Sequence, residues 1–238
     1  MQKKNLKMLN ILLIIILISI FIYEKYPYKI YNKIKPTKFS ESSHLKNENF
    51  KQQLGLYEHY RKKGKIVMLG NSITYRVNWN ELLDRGDIIN RGVESDITNG
   101  FLDRMEFIFN VYPKLCFIMG GVNDLRKGID IETTTNNLLK ISKLLQERKI
   151  IPIIFSVLYV DKAYPNYKDF NMSVTFLNQK LKDMCAINGI DFINLNKKLS
   201  KNGILKKEYS LDGTHLTGLG YKAWGEIMSP IIKEKLSH

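Results

Sequence analysis

The stretch Val67-Met68-Leu69-Gly70-Asn71-Ser72-Ile73-Thr74 decides how this chain folds. Ile66 to Leu69 is an apolar run of strand length. It stops at Gly70, and a hydroxyl residue, Ser72, follows two positions later. In an open α/β sheet, the loop leaving the carboxyl end of a strand is where ligands and reactive groups gather. Ser72 is therefore a candidate nucleophile, provided the rest of the chain gives it partners. Taken alone, Gly-Asn-Ser is also ordinary turn chemistry.

Outward from this stretch, strand and helix signals alternate. Phe50, Leu54, Tyr57 and Tyr60 fall at helical spacing over Phe50–Lys63, which Gly64 is expected to cap. After the strand Ile66–Leu69 come a short helix Trp79–Leu83, a strand Asp87–Asn90 and a helix Asp96–Val111. The strand Leu115–Met119 ends at Gly120-Gly121, and the helix Ile131–Arg148 leads to the strand Ile150–Val157. A helix Val174–Asn188, a strand Asp191–Asn194 and a last helix Thr217–Leu236 complete the pattern. Continuously apolar strands alternating with helices predict an α/β domain with a five-stranded parallel sheet covered on both faces.

The N-terminal end reads differently. Lys3, Lys4 and Lys7 precede Met8–Tyr23, in which Asn10 and Ser19 are the only polar residues. This run fits the core of an export signal and is short for a relaxed membrane span. No small-x-small cleavage site follows, so an uncleaved signal anchor over residues 1–26 is preferred to a cleaved signal. Residues 27–49 read as a basic linker and residues 50–238 as the globular domain. The expectation is a single-pass protein of the cell membrane, held by residues 8–23, with its domain on the extracytoplasmic side. The lysines at Lys25, Lys29, Lys33, Lys35 and Lys38 pull the orientation the other way.

The net charge of +14 is unevenly placed. Residues 1–63 carry 13 Lys/Arg against 4 Asp/Glu, and residues 64–238 carry 24 against 19. The excess therefore sits beside the apolar run, where it suits anionic lipid or an anionic envelope polymer. It also suits a merely solvated linker. The globular part is only mildly basic and has no zinc-finger spacing or aromatic RNA-binding motif, which argues against nucleic acid. Cys116 and Cys185 are too few for a disulfide framework and read as buried free thiols.

Strand ends carry the candidate chemistry. Ser72 follows the first strand, Gly92 the second, Gly121 and Asn123 the third, and Asp212 and His215 precede the last helix. In a parallel sheet these ends share one edge. A serine hydroxyl needs a base within hydrogen-bond reach, and a histidine base needs its second nitrogen oriented. His215 can be the base, with Asp212 three residues earlier as its orienting acid. The N–H groups of Ser72 and Gly92 and the Asn123 amide could then receive an oxyanion. Each residue singly has a plainer structural reading: Asp212 as a helix cap, Asn123 as a turn residue, Gly92 as a strand end, His215 as a structural histidine. Their joint order at successive strand ends favours chemistry.

At this point the sequence resembles the SGNH hydrolases of the GDSL esterase and lipase superfamily. The carrying blocks are Gly70-Asn71-Ser72-Ile73-Thr74, Asn90-Arg91-Gly92, Gly120-Gly121-Val122-Asn123-Asp124 and Asp212-Gly213-Thr214-His215-Leu216-Thr217. The resemblance covers about residues 65 to 236. It implies a flavodoxin-like three-layer α/β/α sandwich and a serine carboxylic ester hydrolase without metal or other cofactor. It also implies Ser72, Asp212 and His215 as the catalytic triad, with Ser72, Gly92 and Asn123 as the oxyanion hole. The implied substrates are acyl esters such as O-acetyl groups of an envelope glycan, or lipid esters. An O-acyltransferase using the same triad, or an inactive anchored binding module, stays open. One departure is that the usual Gly-Asp-Ser is Gly-Asn-Ser here. The segment Tyr159–Asn171 reads as a polar, aromatic loop on the substrate side, or equally as plain surface. No Gly-x-Ser-x-Gly elbow and no phosphate-binding glycine loop occurs.

Overall fold

The structure, a computed structural model, describes residues 13–14 and 43–237. The chain divides into two compact units, Met1–Lys38 and Phe39–His238. Every element below belongs to the second. The expected anchor over residues 1–26 and the linker up to Ser42 lie outside the described residues, apart from Leu13 and Ile14. Among the described residues no helix is long and apolar enough to cross a membrane.

In chain order the elements begin with α1 (Glu48–His59), β1 (Ile66–Gly70), α2 (Ser72–Tyr75), α3 (Trp79–Leu82) and β2 (Ile88–Gly92). They continue with α4 (Thr98–Asp103), α5 (Glu106–Phe109), β3 (Leu115–Met119), α6 (Val122–Arg126) and α7 (Ile131–Glu147). The last third holds β4 (Ile151–Phe155), α8 (Tyr167–Ile187), β5 (Asp191–Ile193), α9 (Asn196–Leu199), the hairpin β6 (Ser200–Lys201) and β7 (Ile204–Leu205), and α10 (Gly218–Leu236). The five main strands are parallel, in the order β2-β1-β3-β4-β5. This is the flavodoxin-like order, whose switch point lies between β1 and β3. Gly70 faces Gly92 on one side and Met119 on the other, so the segments carrying Ser72 and Asn123 leave adjacent strand ends.

The core follows from the apolar strands. Every residue of β1 and β3 is buried. Phe117 stacks on Phe155 at 5.3 Å, and Phe155 meets Trp224 edge-on, also at 5.3 Å. Side chains of this size contribute about 1.5–3 kcal/mol each when fully buried. Helix α7 presents Leu138, Ile141 and Leu145 to this core at helical spacing. Its first turn is fixed by Asp130, whose carboxylate accepts from the Thr133 N–H at 2.7 Å.

Several boundaries differ from expectation. The packed unit takes in residues that the sequence assigns to the linker: His44 is buried and bonds Asp103 at 2.6 Å. Helix α1 ends at His59, and Gly64 is not its cap. A Cβ at Gly64 would lie 2.5 Å from the Asp87 carbonyl oxygen, so close strand approach requires that glycine. The helix expected over Asp96–Val111 is two short helices, interrupted at Arg104–Met105, where the Arg104 side chain turns into the interior. Helix α8 starts at Tyr167, seven residues before the expected Val174, so the last five residues of the Tyr159–Asn171 segment are helical. Helices α2, α6 and α9 and the β6–β7 hairpin have too few residues to leave a periodic signal.

Candidate active site

The turn out of β1 is built around small groups. A Cβ on Gly70 would lie 2.0 Å from the Thr74 hydroxyl oxygen, so only glycine lets α2 start there. Asn71 caps α2: its side-chain oxygen accepts from the Ile73 N–H at 3.0 Å. An aspartate would make the same bond, so the departure from Gly-Asp-Ser keeps the acceptor at this position. Ser72 is the first residue of α2 and is nearly buried. Its N–H has no partner among the described residues, as expected for the first turn of a helix.

His215 reaches Ser72 from 143 positions away, with its Nε2 at 2.9 Å from the serine Oγ. Its Nδ1 lies 2.6 Å from Asp212 Oδ2. The other carboxylate oxygen accepts from the backbone N–H of His215 at 2.8 Å and of Thr214 at 3.0 Å. Gly213 permits this turn with φ of +98°, a conformation other residues adopt only with strain. Asp212 therefore does not cap the last helix; Thr217 does, accepting from the Gly220 N–H at 3.2 Å. A carboxylate only accepts, so the Nδ1 facing Asp212 carries the proton and the lone pair of Nε2 faces the serine hydroxyl. Burial alone would raise the Asp212 pKa. The bonds from the His215 backbone and ring and from the Thr214 N–H outweigh it and bring the carboxyl down to about 2.

Asn123 sits on α6, past a Gly121 held at φ of +120°. A Cβ there would lie 2.7 Å from Leu177. The Asn123 amide donates one hydrogen to the Asp96 carbonyl at 2.9 Å, and its second is not engaged among the described residues. Gly92 differs from expectation. Its N–H donates to Asn90 Oδ1 at 2.8 Å, and its carbonyl accepts from the Tyr57 hydroxyl at 3.0 Å. It could meet an oxyanion only by sharing or giving up the Asn90 bond. A Cβ on Gly92 would lie 2.4 Å from the Tyr75 backbone nitrogen, so this glycine is required for α2 to pack on β2.

Residues that the sequence reading missed surround these groups. Asp124 is fully buried and accepts from the N–H and the hydroxyl of Thr98. Burial pushes its carboxyl up to about 6, against the pull of those bonds. Asn90, Asp96 and Arg104 hold backbone carbonyls and loops around the site. The available signal was polar residues where apolar ones belong: Asn90 and Arg91 end an apolar strand, and Arg104 falls in the stripe Phe101, Met105, Ile108. Among the described residues no cluster of three His, Cys, Asp or Glu side chains could hold a metal ion. A hydroxyl with a histidine in hydrogen-bond reach, a carboxylate orienting that histidine and an amide hydrogen left over are an arrangement able to carry acyl transfer.

Comparison with known proteins agrees with that chemistry. Residues 68–223 match the model of the GDSL-like lipase/acylhydrolase family. A GDSL-like lipase from Bacteroides thetaiotaomicron superposes with a TM-score of 0.69 at 25% identity, covering 79% of this chain and 98% of that one. A lipase/acylhydrolase from Enterococcus faecalis shares the fold at a TM-score of 0.61 and 23% identity, over 72% of this chain and 96% of that one. An N-acylneuraminate cytidylyltransferase of Streptococcus agalactiae is 33% identical over 103 residues, which is 42% of this chain and 24% of that protein. The chain thus spans about a quarter of the length of the curated relatives it matches.

Proposed function

The chain belongs to the GDSL-like lipase/acylhydrolase family; from that premise we propose that it is a carboxylic ester hydrolase, a membrane-anchored serine esterase removing small acyl groups, O-acetyl foremost, from an envelope glycan. The observation that carries this reading is the hydrogen-bonded line Ser72 Oγ, His215 Nε2, His215 Nδ1, Asp212 Oδ2, with separations of 2.9 and 2.6 Å.

In the first step His215 Nε2 takes the Ser72 hydroxyl proton while Oγ bonds to the ester carbonyl carbon. The carbonyl oxygen becomes an oxyanion, met by the Ser72 N–H and the second amide hydrogen of Asn123. Collapse breaks the carbon–oxygen bond to the alcohol, which leaves with the proton from Nε2. Water then attacks the acyl-serine, giving its proton to Nε2, and collapse releases the acid and restores Ser72. Asp212 holds the ring and stabilises the imidazolium in both halves.

A sugar substrate is favoured by what borders the His215 loop. Asp161 donates its N–H to the Gly213 carbonyl at 2.9 Å, and Arg126 donates to the Thr214 hydroxyl at 3.2 Å. The Arg126 guanidinium lies 5.5 Å from the centre of the Tyr164 ring. The side chains beside this loop are polar and aromatic, a composition that suits a carbohydrate better than an acyl tail. The relative named for an N-acylneuraminate enzyme is consistent with that choice. The proposed anchor over residues 8–23 and extracytoplasmic domain are supported by the apolar run and the lysines before it.

The test gives the full chain and its Ser72→Ala variant p-nitrophenyl acetate and longer-chain esters, and follows acylation by intact mass. Turnover that depends on Ser72 and falls with chain length supports the reading. Preference for long chains would turn it to lipid esters, and acylated product on an added sugar acceptor would turn it to acyl transfer. No turnover and no acyl-serine in folded protein would overturn it. Protease protection of the domain in intact cells would refute the extracytoplasmic location.

A further inference from the structure

Beneath the loop that follows β2 lies a fully buried ion pair that the proposed chemistry does not use. Arg104 and Asp96 both have side chains with no exposure, and Arg104 Nε donates to Asp96 Oδ2 at 2.8 Å. The rest of the guanidinium is spent on strand ends. Nη1 donates to the Arg91 carbonyl at 2.7 Å and Nη2 to the Gly70 carbonyl at 2.9 Å. Those carbonyls close β2 and β1, one residue before Gly92 and two before Ser72. The Asp96 side chain also accepts from the Ile97 N–H at 2.9 Å. A Cβ on Gly100 would come 1.9 Å from that carboxylate, so α4 carries a glycine where Asp96 tucks in.

Burying such a pair costs desolvation that apolar residues of similar volume avoid, so stability alone is a weak reason to have it. What the pair fixes is the position of Asp96, and the Asp96 backbone carbonyl accepts the Asn123 amide hydrogen at 2.9 Å. That contact does two things. It decides which way the Asn123 amide faces, because a flipped amide would oppose oxygen to oxygen. It also sets the plane of the amide, and with it the direction of the second hydrogen. We infer that Arg104 and Asp96 are positioning residues for the oxyanion site: the guanidinium ties the ends of β1 and β2 to Asp96, and the Asp96 carbonyl aims the Asn123 amide. The inference rests on the reading of Asn123 as an oxyanion donor. It goes beyond that reading by assigning the residues that hold the donor in place.

The test is a double-mutant cycle on the full chain with p-nitrophenyl acetate, reading kcat, KM and the unfolding midpoint. Asn123→Ala alone is expected to lose on the order of 10²–10³ in kcat. Asp96→Asn keeps the side-chain volume but presents an amide where the Ile97 N–H and Arg104 both need acceptors. It is expected to lose about ten- to a hundred-fold in kcat, the scale of a misplaced catalytic group, with little change in KM. In the Asn123→Ala background the same change should cost less than about two-fold. Arg104→Lys, which keeps the charge and loses the fork, should follow the same pattern and serves if Asp96→Asn does not fold. Equal losses in both backgrounds would overturn the proposal, since the pair would then act on the fold as a whole. So would unchanged kcat with a lowered midpoint, or failure of both variants to fold. If the parent protein has no Ser72-dependent turnover, the esterase reading itself fails, and that outcome is distinct from an active parent without coupling.

Discussion

Replacing Asp212 by asparagine isolates the orienting role from everything else the residue does. Asp212 Oδ1 accepts two backbone N–H groups, from Thr214 at 3.0 Å and His215 at 2.8 Å. Both partners only donate, so the carbonyl oxygen of the new amide must take that place and the turn survives. The NH2 is then left facing His215 Nδ1, where a carboxylate oxygen had stood 2.6 Å away. A donor there requires an unprotonated Nδ1, so the ring proton moves to Nε2 and points at Ser72 Oγ. The base is lost although the geometry is kept. In serine–histidine–aspartate triads this tautomer inversion costs about 10⁴ in kcat, equivalent to about 5 kcal/mol of barrier. We expect Asp212→Asn to show that loss on p-nitrophenyl acetate, with an unfolding midpoint close to the parent's. Because the Asp212 carboxyl titrates at about 2, it stays ionised across the assay range and adds no inflection of its own to the parent's pH profile. A kcat within about ten-fold of the parent in a folded variant would refute the argument, and another group would have to orient the ring.

Three further outcomes follow from the same contacts. Asp124 titrates at about 6 in the fold against about 3.9 when unfolded. Between those values the folded state holds a proton the unfolded chain has released, so its contribution to stability is full below about 4 and falls as pH rises through about 6. Asp124→Asn should flatten that part of the melting-temperature profile, and an unchanged slope would show that this carboxyl does not titrate there. Gly92→Ala places a methyl 2.4 Å from the Tyr75 nitrogen and must displace the helix that begins with Ser72. The expected loss is about 10² in kcat and about 1–3 kcal/mol of stability by denaturant titration, and parent-like values of both would contradict the packing argument. Burial pushes the Cys185 thiol up to about 12 and raises that of Cys116. Neither should react with a disulfide reagent until the chain is unfolded, and rapid labelling of the native protein would disprove their burial.

How much of this was legible in the sequence depends on how local each signal is. Val67–Thr74 announces a strand, a tight turn and a reactive hydroxyl within eight residues, and Asp212–His215 puts acid and base in one turn. Such residues are readable because their geometry is set by neighbours in the chain. Gly92 was readable as special but not for its reason: its N–H partner, Asn90, is two residues away, whereas the backbone it must accommodate is Tyr75, on another element. Arg104 looks like part of a continuous helix in the sequence because its three acceptors, on Gly70, Arg91 and Asp96, come together only after the sheet has formed. The early start of α8 is hidden in the sequence for a different reason. Its first turn, Tyr167 to Phe170, is polar and aromatic, and helical periodicity becomes visible only from Val174, where the core-facing stripe begins.

Helix α2, which begins with Ser72, shows why so many polar side chains crowd one corner of the sheet. Four residues cannot hold a helix by themselves, since nucleation is unfavourable and the closing carbonyls lack partners. Here every carbonyl of α2 has a partner, and those of Ile73, Thr74 and Tyr75 are met from elsewhere. The Arg76 N–H takes that of Ser72 at 3.0 Å, and the Tyr221 hydroxyl takes that of Ile73 at 2.8 Å. Trp79 Nε1 donates to the Thr74 carbonyl at 3.0 Å, and the Asn90 amide bridges Thr74 and Tyr75, both at 3.1 Å. The donors to Ile73, Thr74 and Tyr75 come from α10, α3 and β2, so the helix that begins with Ser72 is held by the tertiary fold. The same amide group of Asn90 holds Gly92 through its oxygen, which makes one strand-end asparagine responsible for both the helix and the glycine beneath it. This is why Asn90 can sit at the end of an otherwise apolar strand. Its side chain satisfies part-buried backbone groups of α2 and of Gly92, and it does so at the point where the position of Ser72 is decided.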